Sequence, residues 1–194
     1  MHGLLGPLLI AALVLAAAGL AKTVRPRPAA AAISTLPLTV DGSLSVTLAR
    51  MLGIVEVAVA VWAMVTLSAI ALAFVAGFYG AFAVFVLLSL NGSVPAASCG
   101  CFGSDDSPPT VGHFVFNAVA AGLAIIGATQ RIDWAQLNLS VGSFVVLSLV
   151  VSVGAAFSVL AMSVLPSVLS LANGTSVPVR NFEIDPHLRS QVNS

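Results

Sequence analysis

The sequence predicts an all-α integral membrane protein, a bundle of four transmembrane helices to which a fifth is added. Three observations predict this class: 59% of the 194 residues are hydrophobic, only 7% are charged, and long apolar runs recur along the chain. A water-soluble domain carries about 25% charged residues, so this chain lacks the charges to cover a soluble surface. The formal net charge of zero excludes the basic surface of a nucleic-acid-binding protein. We therefore expect a multi-pass protein of the plasma (inner) membrane, surrounded by the lipid bilayer and not bound to nucleic acid.

The first span is predicted at Leu4–Ala21, a run without charged residues that is long enough to cross a bilayer, which takes about 17–25 residues. Its small residues at Ala16–Ala21 would also suit the cleavage of a signal peptide. A signal peptide begins with basic residues, whereas here Lys22, Arg25 and Arg27 follow the apolar run. This distribution of charge favours a span that is retained.

The second and third spans are predicted inside Met51–Leu90, an apolar stretch that contains one charged residue, Glu56. As a single helix this stretch would extend about 60 Å at about 1.5 Å per residue, twice the thickness of the hydrocarbon core. The stretch must therefore fold back on itself. We place the spans at Leu48–Leu67 and Ala71–Leu90, with the turn near Thr66–Ala73.

Turn-forming residues punctuate the rest of the chain. Gly, Pro, Ser, Asn and Asp dominate residues 91–110, which we predict to form a loop. The fourth span follows at Val111–Thr129, and the fifth at Leu139–Leu165, where Pro166 is expected to end it. Residues 22–45 form the first connection, and their apolar middle could hold a short interfacial segment.

These spans divide the chain into three parts. Residues 1–130 form a four-helix transmembrane domain, residues 131–166 an extra transmembrane helix, and residues 167–194 a polar, flexible tail. Alanine, glycine and serine are frequent in the spans, and we expect them to let the helices approach each other closely.

The two cysteines of the chain, Cys99 and Cys101, are separated by one residue in the predicted loop. A loop at the membrane surface is accessible to a soluble partner. Residues two apart in an extended chain sit at the limit of about 7 Å between Cα atoms for a disulfide, so the chain must turn here, and Gly100 and Gly103 permit that turn. Strained, exposed disulfides are the labile and catalytic type. The spacing therefore favours a redox pair.

Two other interpretations of the cysteines stay open. The motif could be a structural staple, or it could bind a metal ion together with His113. Two thiolates and one distant imidazole leave a metal site short of ligands. We therefore predict no metal.

Glu56 is the one charged residue inside the long apolar stretch, and a carboxyl group in a span is a functional-site hypothesis by default. A Glu that only fixes helix packing is the alternative. Arg50 is a poor partner because it lies on a different face of the same helix. Lys22, at the end of the first span, is a better partner if the two helices adjoin. We predict that Glu56 faces the interior of the bundle, near Lys22 or another polar group.

His113 and Asn117 stand four residues apart at the start of the fourth span and so share one face of that helix. That face could be directed toward the cysteine loop, where both side chains would support the redox pair. The alternative is a hydrogen-bonding pair at the membrane interface.

Three sequence elements resemble the MauE family, the methylamine-utilisation membrane proteins, which belong with the DoxX-like redox-associated membrane proteins. The most specific element is the string Cys99-Gly100-Cys101-Phe102-Gly103 in a loop between two spans. The others are Gly19–Lys22, which closes the first span, and Ala49–Ala60 around Glu56. The resemblance covers about residues 4–130, so the fifth span and the tail lie beyond it.

The resemblance implies a redox accessory protein that helps disulfides to form in exported proteins. The named case is the small subunit of methylamine dehydrogenase, matured together with a thioredoxin-like partner as part of methylamine metabolism. The implied site consists of Cys99 and Cys101 as the redox pair, supported by Glu56 and, further out, by Lys22, His113 and Asn117. As an enzyme the chain would be a thiol–disulfide oxidoreductase.

The alternative function is a non-enzymatic membrane subunit in which Gly100, Phe102 and Gly103 shape a loop that docks a partner protein or complex. No cofactor is evident from the residues. A membrane quinone would be a natural electron acceptor for exported thiols, but no quinone site is legible in the sequence.

Two arguments predict opposite orientations of the chain in the membrane. With five spans, the first connection, the cysteine loop and the tail share one side of the membrane. That side carries all but one of the Lys and Arg residues that lie in connections and tail: Lys22, Arg25, Arg27, Arg180 and Arg189, against Arg131 alone. The positive-inside rule would place the cysteines in the cytoplasm. Disulfide formation would place them outside, where thiols are not kept reduced.

Overall fold

The computed structural model describes residues 2–35, 41–94, 109–130, 134 and 140–172, and the regular secondary structure within these ranges is helical. The helices, in chain order, are α1 (His2–Val24), α2 (Arg27–Ser34), α3 (Gly42–Thr66), α4 (Ala69–Leu90), α5 (Val111–Gln130) and α6 (Val141–Ala172). All of them except α2 are long and apolar enough to cross a membrane. The predicted all-α membrane fold with a fifth span is confirmed.

The connection between α3 and α4 is short. Leu67 adopts a left-handed backbone conformation, with a φ of 49°, and its N–H donates to the carbonyl of Ala63 at 2.9 Å. The hydroxyl oxygen of Ser68 then caps α4 by accepting from the N–H of Ala71 at 3.3 Å. The reversal lies inside the predicted turn region. It makes α3 and α4 a helical hairpin.

α3 begins at Gly42, earlier than the sequence predicts. The polar residues that precede the apolar run are helical because their hydroxyl groups bond within the helix. Ser45 Oγ donates to the carbonyl of Gly42 at 2.9 Å, and Thr47 Oγ1 donates to that of Ser43 at 3.1 Å. Because these hydroxyl groups need no partner outside the helix, the polar residues can continue it.

The short helix α2 occupies the first connection, where the sequence predicts a short segment. Pro28 sits in its first turn, a position where the missing N–H of proline has no helical partner in any case. Ala29 and Ala30 are buried together with Ala49 of α3. α2 is therefore packed against the first part of α3, around Ala49.

α1 is the central helix of the described bundle. It packs against α3, α5 and α6, while α4 and α5 pack against each other. Its inward side chains, among them Leu5, Leu8, Leu15 and Ala18, are almost fully buried. α6, by contrast, rests mainly on α1 and leaves most of its apolar side chains at the outer surface, as expected for a helix that faces lipid.

α6 continues past Pro166 to Ala172, whereas the sequence predicts that Pro166 ends the fifth span. A proline removes one backbone hydrogen bond from a helix, but membrane helices tolerate this loss because local adjustments satisfy the freed carbonyl. The prediction that Pro166 stops the helix is therefore wrong, whereas the candidate membrane span within α6, Val141–Val164, agrees with the predicted end at Leu165.

Helix directions follow from paired contacts. On α4 and α5, Tyr79 packs against Phe116 with ring centroids 6.1 Å apart, and Leu72 lies beside Gly127, so the two helices are antiparallel. The α3–α4 hairpin and the antiparallel crossing of α1 with α3 complete the arrangement. Four helix ends, at Val24, Gly42, Leu90 and Val111, consequently lie at one end of the bundle, which we call the α4–α5 end.

Candidate functional site

A buried ion pair joins α1 to α3. The Lys22 ammonium donates a hydrogen bond to Glu56 Oε2, with Nζ and Oε2 2.8 Å apart. Glu56 is 0% exposed and Lys22 is 3% exposed. A charge inside a span is unfavourable unless it is paired, and this pairing was expected from the sequence. The prediction that Glu56 faces the interior beside Lys22 is confirmed.

The ion pair depends on a close approach of two helix backbones. A Cβ atom on Gly19 would lie 2.6 Å from the carbonyl oxygen of Gly53, and a Cβ atom on Gly53 would lie 2.5 Å from that of Gly19. Neither position can therefore hold a side chain without separating the helices. Lys22 and Glu56 each follow one of these glycines by three residues, so they stand on the crossing face of their own helix. The glycine crossing thus brings the two charges together.

The carboxylate of Glu56 has fewer hydrogen-bond partners than it could accept. Glu56 Oε1 has no hydrogen-bond partner among the described residues, although it is fully buried. The ammonium group of Lys22 also lies 4.8 Å from the centroid of the Phe82 ring, within the range of a cation–π interaction. The pair is therefore held by one direct hydrogen bond and one aromatic face, and a carboxylate oxygen remains free to accept another donor.

A second polar group occupies the start of α5. His113 Nδ1 and Thr110 Oγ1 lie 2.7 Å apart, and Asn117 Nδ2 donates to the carbonyl of His113 at 2.7 Å. His113 and Asn117 are both buried, and they share one face as the sequence predicts. The backbone of Met162, on α6, also interacts with the His113 ring. The histidine is therefore fixed from two sides.

His113 and Asn117 face a small cavity of about 20 Å³, which is room for about one water molecule. The cavity lies between four helices. Its lining residues are Val14, Leu15 and Ala18 of α1, Tyr79 and Phe82 of α4, His113, Phe116 and Asn117 of α5, and Met162 of α6. Phe82 belongs to both sites, since its ring lines the cavity and also contacts Lys22. The ion pair and the cavity are therefore neighbours.

Several cavity residues were not identified from the sequence as part of a site. Tyr79 is one of them, and its hydroxyl donates to the carbonyl of Ala11 at 2.6 Å inside the bundle. Phe82 and Met162 of the cavity, and Thr110 beside His113, were not singled out either. Tyr79 carried a usable signal, because it is the one tyrosine of the chain and lies inside a span, where its hydroxyl needs a partner.

The cysteine motif and its neighbours, Cys99, Gly100, Cys101, Phe102 and Gly103, lie outside the described residues. Their role as a redox pair stays a prediction. The described residues stop at Val94, shortly after the end of α4, and resume at Pro109, shortly before the start of α5. Both helix ends belong to the α4–α5 end. Lys22, in the last turn of α1, and His113, in the first turn of α5, lie near this end.

The family model described as Methylamine utilisation protein MauE matches residues 3–130. The match includes α1 to α5, both members of the ion pair, the cysteine motif, and His113 with Asn117. It leaves α6 outside. Neither the curated proteins nor the solved structures contain a match to the chain.

Proposed function

Because the chain belongs to the methylamine utilisation protein MauE family and has five helices suited to cross a membrane, we propose that it is a membrane redox accessory protein. In this role Cys99 and Cys101 exchange a disulfide with exported proteins or with a thioredoxin-like partner. The protein thereby supports the maturation of disulfide-containing clients such as an exported amine dehydrogenase.

One observation carries the proposal. The chain has two cysteines, and they stand one residue apart within the matched residues, in the segment that connects α4 to α5. Any thiol chemistry of this protein must therefore use this pair. A segment between two spans, rich in Gly, Pro, Ser and Asp, is also of the type that a soluble partner reaches at the membrane surface.

The exchange proceeds in two steps. A thiolate of the client attacks one sulfur of the Cys99–Cys101 disulfide, which forms a mixed disulfide and releases the other cysteine as a thiolate. The second thiolate of the client then attacks the mixed disulfide, so that the client gains its disulfide and both cysteines are left reduced. Two electrons pass from the client to the membrane protein. A membrane-soluble oxidant must then remove them.

The buried polar groups of α1, α3 and α5 support the assignment of a function to the region that contains them. A Lys–Glu pair and a His–Asn pair inside membrane spans are unfavourable compared with apolar side chains, and such groups usually mark functional sites. Lys22, in the last turn of α1, and His113, in the first turn of α5, lie near the α4–α5 end, and Glu56 is paired with Lys22. We propose that they support the cysteine pair.

Trapping of mixed disulfides tests the proposal. A variant with one cysteine cannot form the internal disulfide, but its remaining thiolate can attack a disulfide of a partner, which forms a mixed disulfide and releases the other partner sulfur as a thiolate. Because the variant has no second thiol to release the partner, Cys99→Ser or Cys101→Ser should hold that partner in a covalent complex that reductant dissolves. The variant that lacks both cysteines is the control and should trap nothing. If both single variants, expressed at the level of the unaltered protein, yield no reductant-sensitive complex with any exported protein, the exchange does not occur and the docking interpretation replaces it.

A further inference from the structure

Three arginines are exposed near the α4–α5 end of the bundle. Arg25 and Arg27 lie where α1 passes into α2, and Arg50 lies in the third turn of α3. In the part of the chain that the structure describes, the one ion pair joins Lys22 to Glu56, so no carboxylate there neutralises the three guanidinium groups. A charged side chain on a membrane span is unfavourable unless it reaches water or a counter-charge. The surroundings of these arginines must therefore supply one or the other.

Arg25 and Arg50 lie at the same depth, although they belong to different parts of the chain. A Cβ atom on Gly53 would lie 3.0 Å from the Cβ atom of Lys22, which sets these two residues at one level of the antiparallel helices α1 and α3. Arg25 follows Lys22 by three residues, and Arg50 precedes Gly53 by three. The helical hydrogen bonding of α1 extends to Arg25, whose N–H donates to the carbonyl of Ala21 at 2.7 Å. Each arginine is therefore about 4.5 Å from the common level, toward the α4–α5 end.

The length of α3 places Arg50 near the membrane surface. About 20 helical residues cross a hydrocarbon core of about 30 Å. Counted back from Thr66, which is exposed at the α3–α4 turn, the core ends at about residue 47, so Arg50 lies about 5 Å inside it. The Cα–Cβ bond of a helical residue tilts toward the N-terminus of its helix, which for α3 is the α4–α5 end, and a long arginine side chain extends its charge to the head groups. Arg50 therefore reaches the level of the lipid phosphates.

α2 adds Arg27 to this level. Ala29 of α2 is buried together with Ala49 of α3, and Ala49 is the residue before Arg50, so α2 lies beside α3 at the depth of Arg50. Arg27, at the start of α2, is exposed. A short amphipathic helix with a basic residue on its polar side lies in the head-group layer, where anionic lipids attract it. The exposed charges of α2 and α3 thus belong to the same layer of the membrane.

Exposed apolar side chains adjoin the arginines. Leu48 and Met51, close to Arg50 on α3, are 41% and 54% exposed, and Val24, beside Arg25, is 68% exposed. Exposed apolar patches with a polar rim mark surfaces that contact membranes or other proteins. A phospholipid supplies both an anionic head group for the arginines and acyl chains for the apolar side chains. A soluble anion supplies the first of these alone.

We propose that Arg25, Arg27 and Arg50 form a binding surface for anionic phospholipids, in which their guanidinium groups bind the head-group phosphates. The N–H groups of arginine match phosphate oxygens in geometry and in charge. The attraction between a basic residue at the membrane surface and anionic lipid corresponds to about fivefold in affinity per residue. The surface requires anionic lipid in the leaflet at the α4–α5 end, whichever side of the membrane that leaflet faces. It contains no cysteine and is independent of the proposed function.

Native mass spectrometry of the full chain in detergent, titrated with phosphatidylglycerol, tests the surface. Phosphatidylcholine with the same acyl chains is the reference lipid, because its choline group neutralises the phosphate charge. We expect the unaltered protein to bind phosphatidylglycerol about tenfold or more tightly than phosphatidylcholine. Arg50→Gln should weaken the binding of phosphatidylglycerol about fivefold, whereas Arg50→Lys keeps the charge and should weaken it less. The triple variant Arg25→Gln/Arg27→Gln/Arg50→Gln should lose the preference between the two lipids.

Arg131→Gln is the matched control. It also removes one arginine, but from the chain that follows α5, a helix that ends at the opposite end of the bundle. Its affinity for phosphatidylglycerol should equal that of the unaltered protein. Unfolding temperatures should be the same in all these variants, because the substituted side chains of the surface are exposed. Equal affinity in the triple variant and the unaltered protein would overturn the proposal, as would an equal loss in Arg131→Gln.

Soluble anions distinguish a lipid surface from a phosphate site. Inorganic phosphate and glycerol 1-phosphate lack acyl chains and should not displace phosphatidylglycerol at equal concentration. Displacement by either would assign the arginines to a soluble anion and overturn the lipid surface. The cysteine-free variant should bind phosphatidylglycerol with unchanged affinity. Retained lipid binding together with failed mixed-disulfide trapping would therefore contradict the proposed function alone.

Discussion

Lys22 and Glu56 meet where α1 crosses α3, joined by a single hydrogen bond of 2.8 Å inside a bundle of apolar helices. The carboxylate is fully enclosed, and one of its two oxygens has no hydrogen-bond partner among the described residues. Loss of either side chain leaves the other as a buried, unpaired charge. The two residues should therefore behave as one unit in stability measurements.

Glu56→Leu should lower the free energy of unfolding by about 3–5 kcal/mol, because it leaves the Lys22 ammonium buried without a counter-charge. Glu56→Gln should be milder, since the amide oxygen of Gln still accepts a hydrogen bond from Lys22. Thermal unfolding of the purified variants in detergent compares the two. An equal loss in Gln and Leu variants would show that Lys22 does not depend on an acceptor at this position.

The double variant Lys22→Met/Glu56→Leu is the control for this comparison. It removes both charges, and well-packed apolar residues often replace a buried ion pair without loss of stability. We expect it to be more stable than either single variant, which gives a strong coupling between the two positions in a double-mutant cycle. Additive losses would contradict the pairing.

Gly19→Ala and Gly53→Ala should each destabilise the protein by about 1–3 kcal/mol, as overpacking does in a filled interior. The added methyl group would meet the opposite backbone at 2.6 and 2.5 Å, respectively. Gly77→Ala is the matched control on α4, where a Cβ atom meets no other atom within 4 Å. Unfolding temperatures of the three variants provide the measurement, and equal temperatures would disprove the close crossing.

The pairing of Glu56 with Lys22 was predictable because a carboxyl group in a span must find a partner and Lys22 ends the first span. The crossing that makes it possible was not predictable. Gly19 and Gly53 are two of 16 glycines, and local sequence does not indicate which pair of helices meets. Helix contacts of this kind depend on residues far apart in the chain.

The spans themselves were predictable from the lengths of the apolar runs, and the turn between α3 and α4 falls inside the predicted region. Composition did not predict the start of α3, because the hydroxyl groups of Ser45 and Thr47 form their hydrogen bonds within the helix. It also did not predict the end of α6, because that helix continues through Pro166. The shared face of His113 and Asn117 followed from their spacing. Their aromatic neighbours Phe82 and Phe116 did not, because the cavity forms only when four helices assemble.

The α4–α5 end should face the outside of the cell, since the proposed exchange requires thiols in an oxidising compartment. An impermeant thiol reagent applied to intact cells should label Cys99 and Cys101 after mild reduction. In a cysteine-free background, Ser93→Cys should be labelled in the same way, whereas Ser68→Cys in the turn at the opposite end should need permeabilised cells. Labelling of Ser68→Cys alone would show that the protein has the opposite orientation. That orientation follows the positive-inside rule and favours a reductive role for the cysteines.

Cys99→Ser and Cys101→Ser should each abolish client oxidation and leave the fold intact. The chain has no other cysteine to substitute for either one, so each single change removes the disulfide. Stability should hardly change, because a disulfide that closes so short a loop removes little entropy from the unfolded chain. Ser98→Ala, beside the motif, controls for changes in the loop itself and should retain activity.

The measurement combines disulfide content of the client with the unfolding temperature of the membrane protein. We expect the client to accumulate as free thiols in both single variants and in the double variant, while the unfolding temperature stays that of the unaltered chain. If client disulfides form normally in the double Cys→Ser variant, the redox function is wrong, and the cysteine segment instead docks a partner.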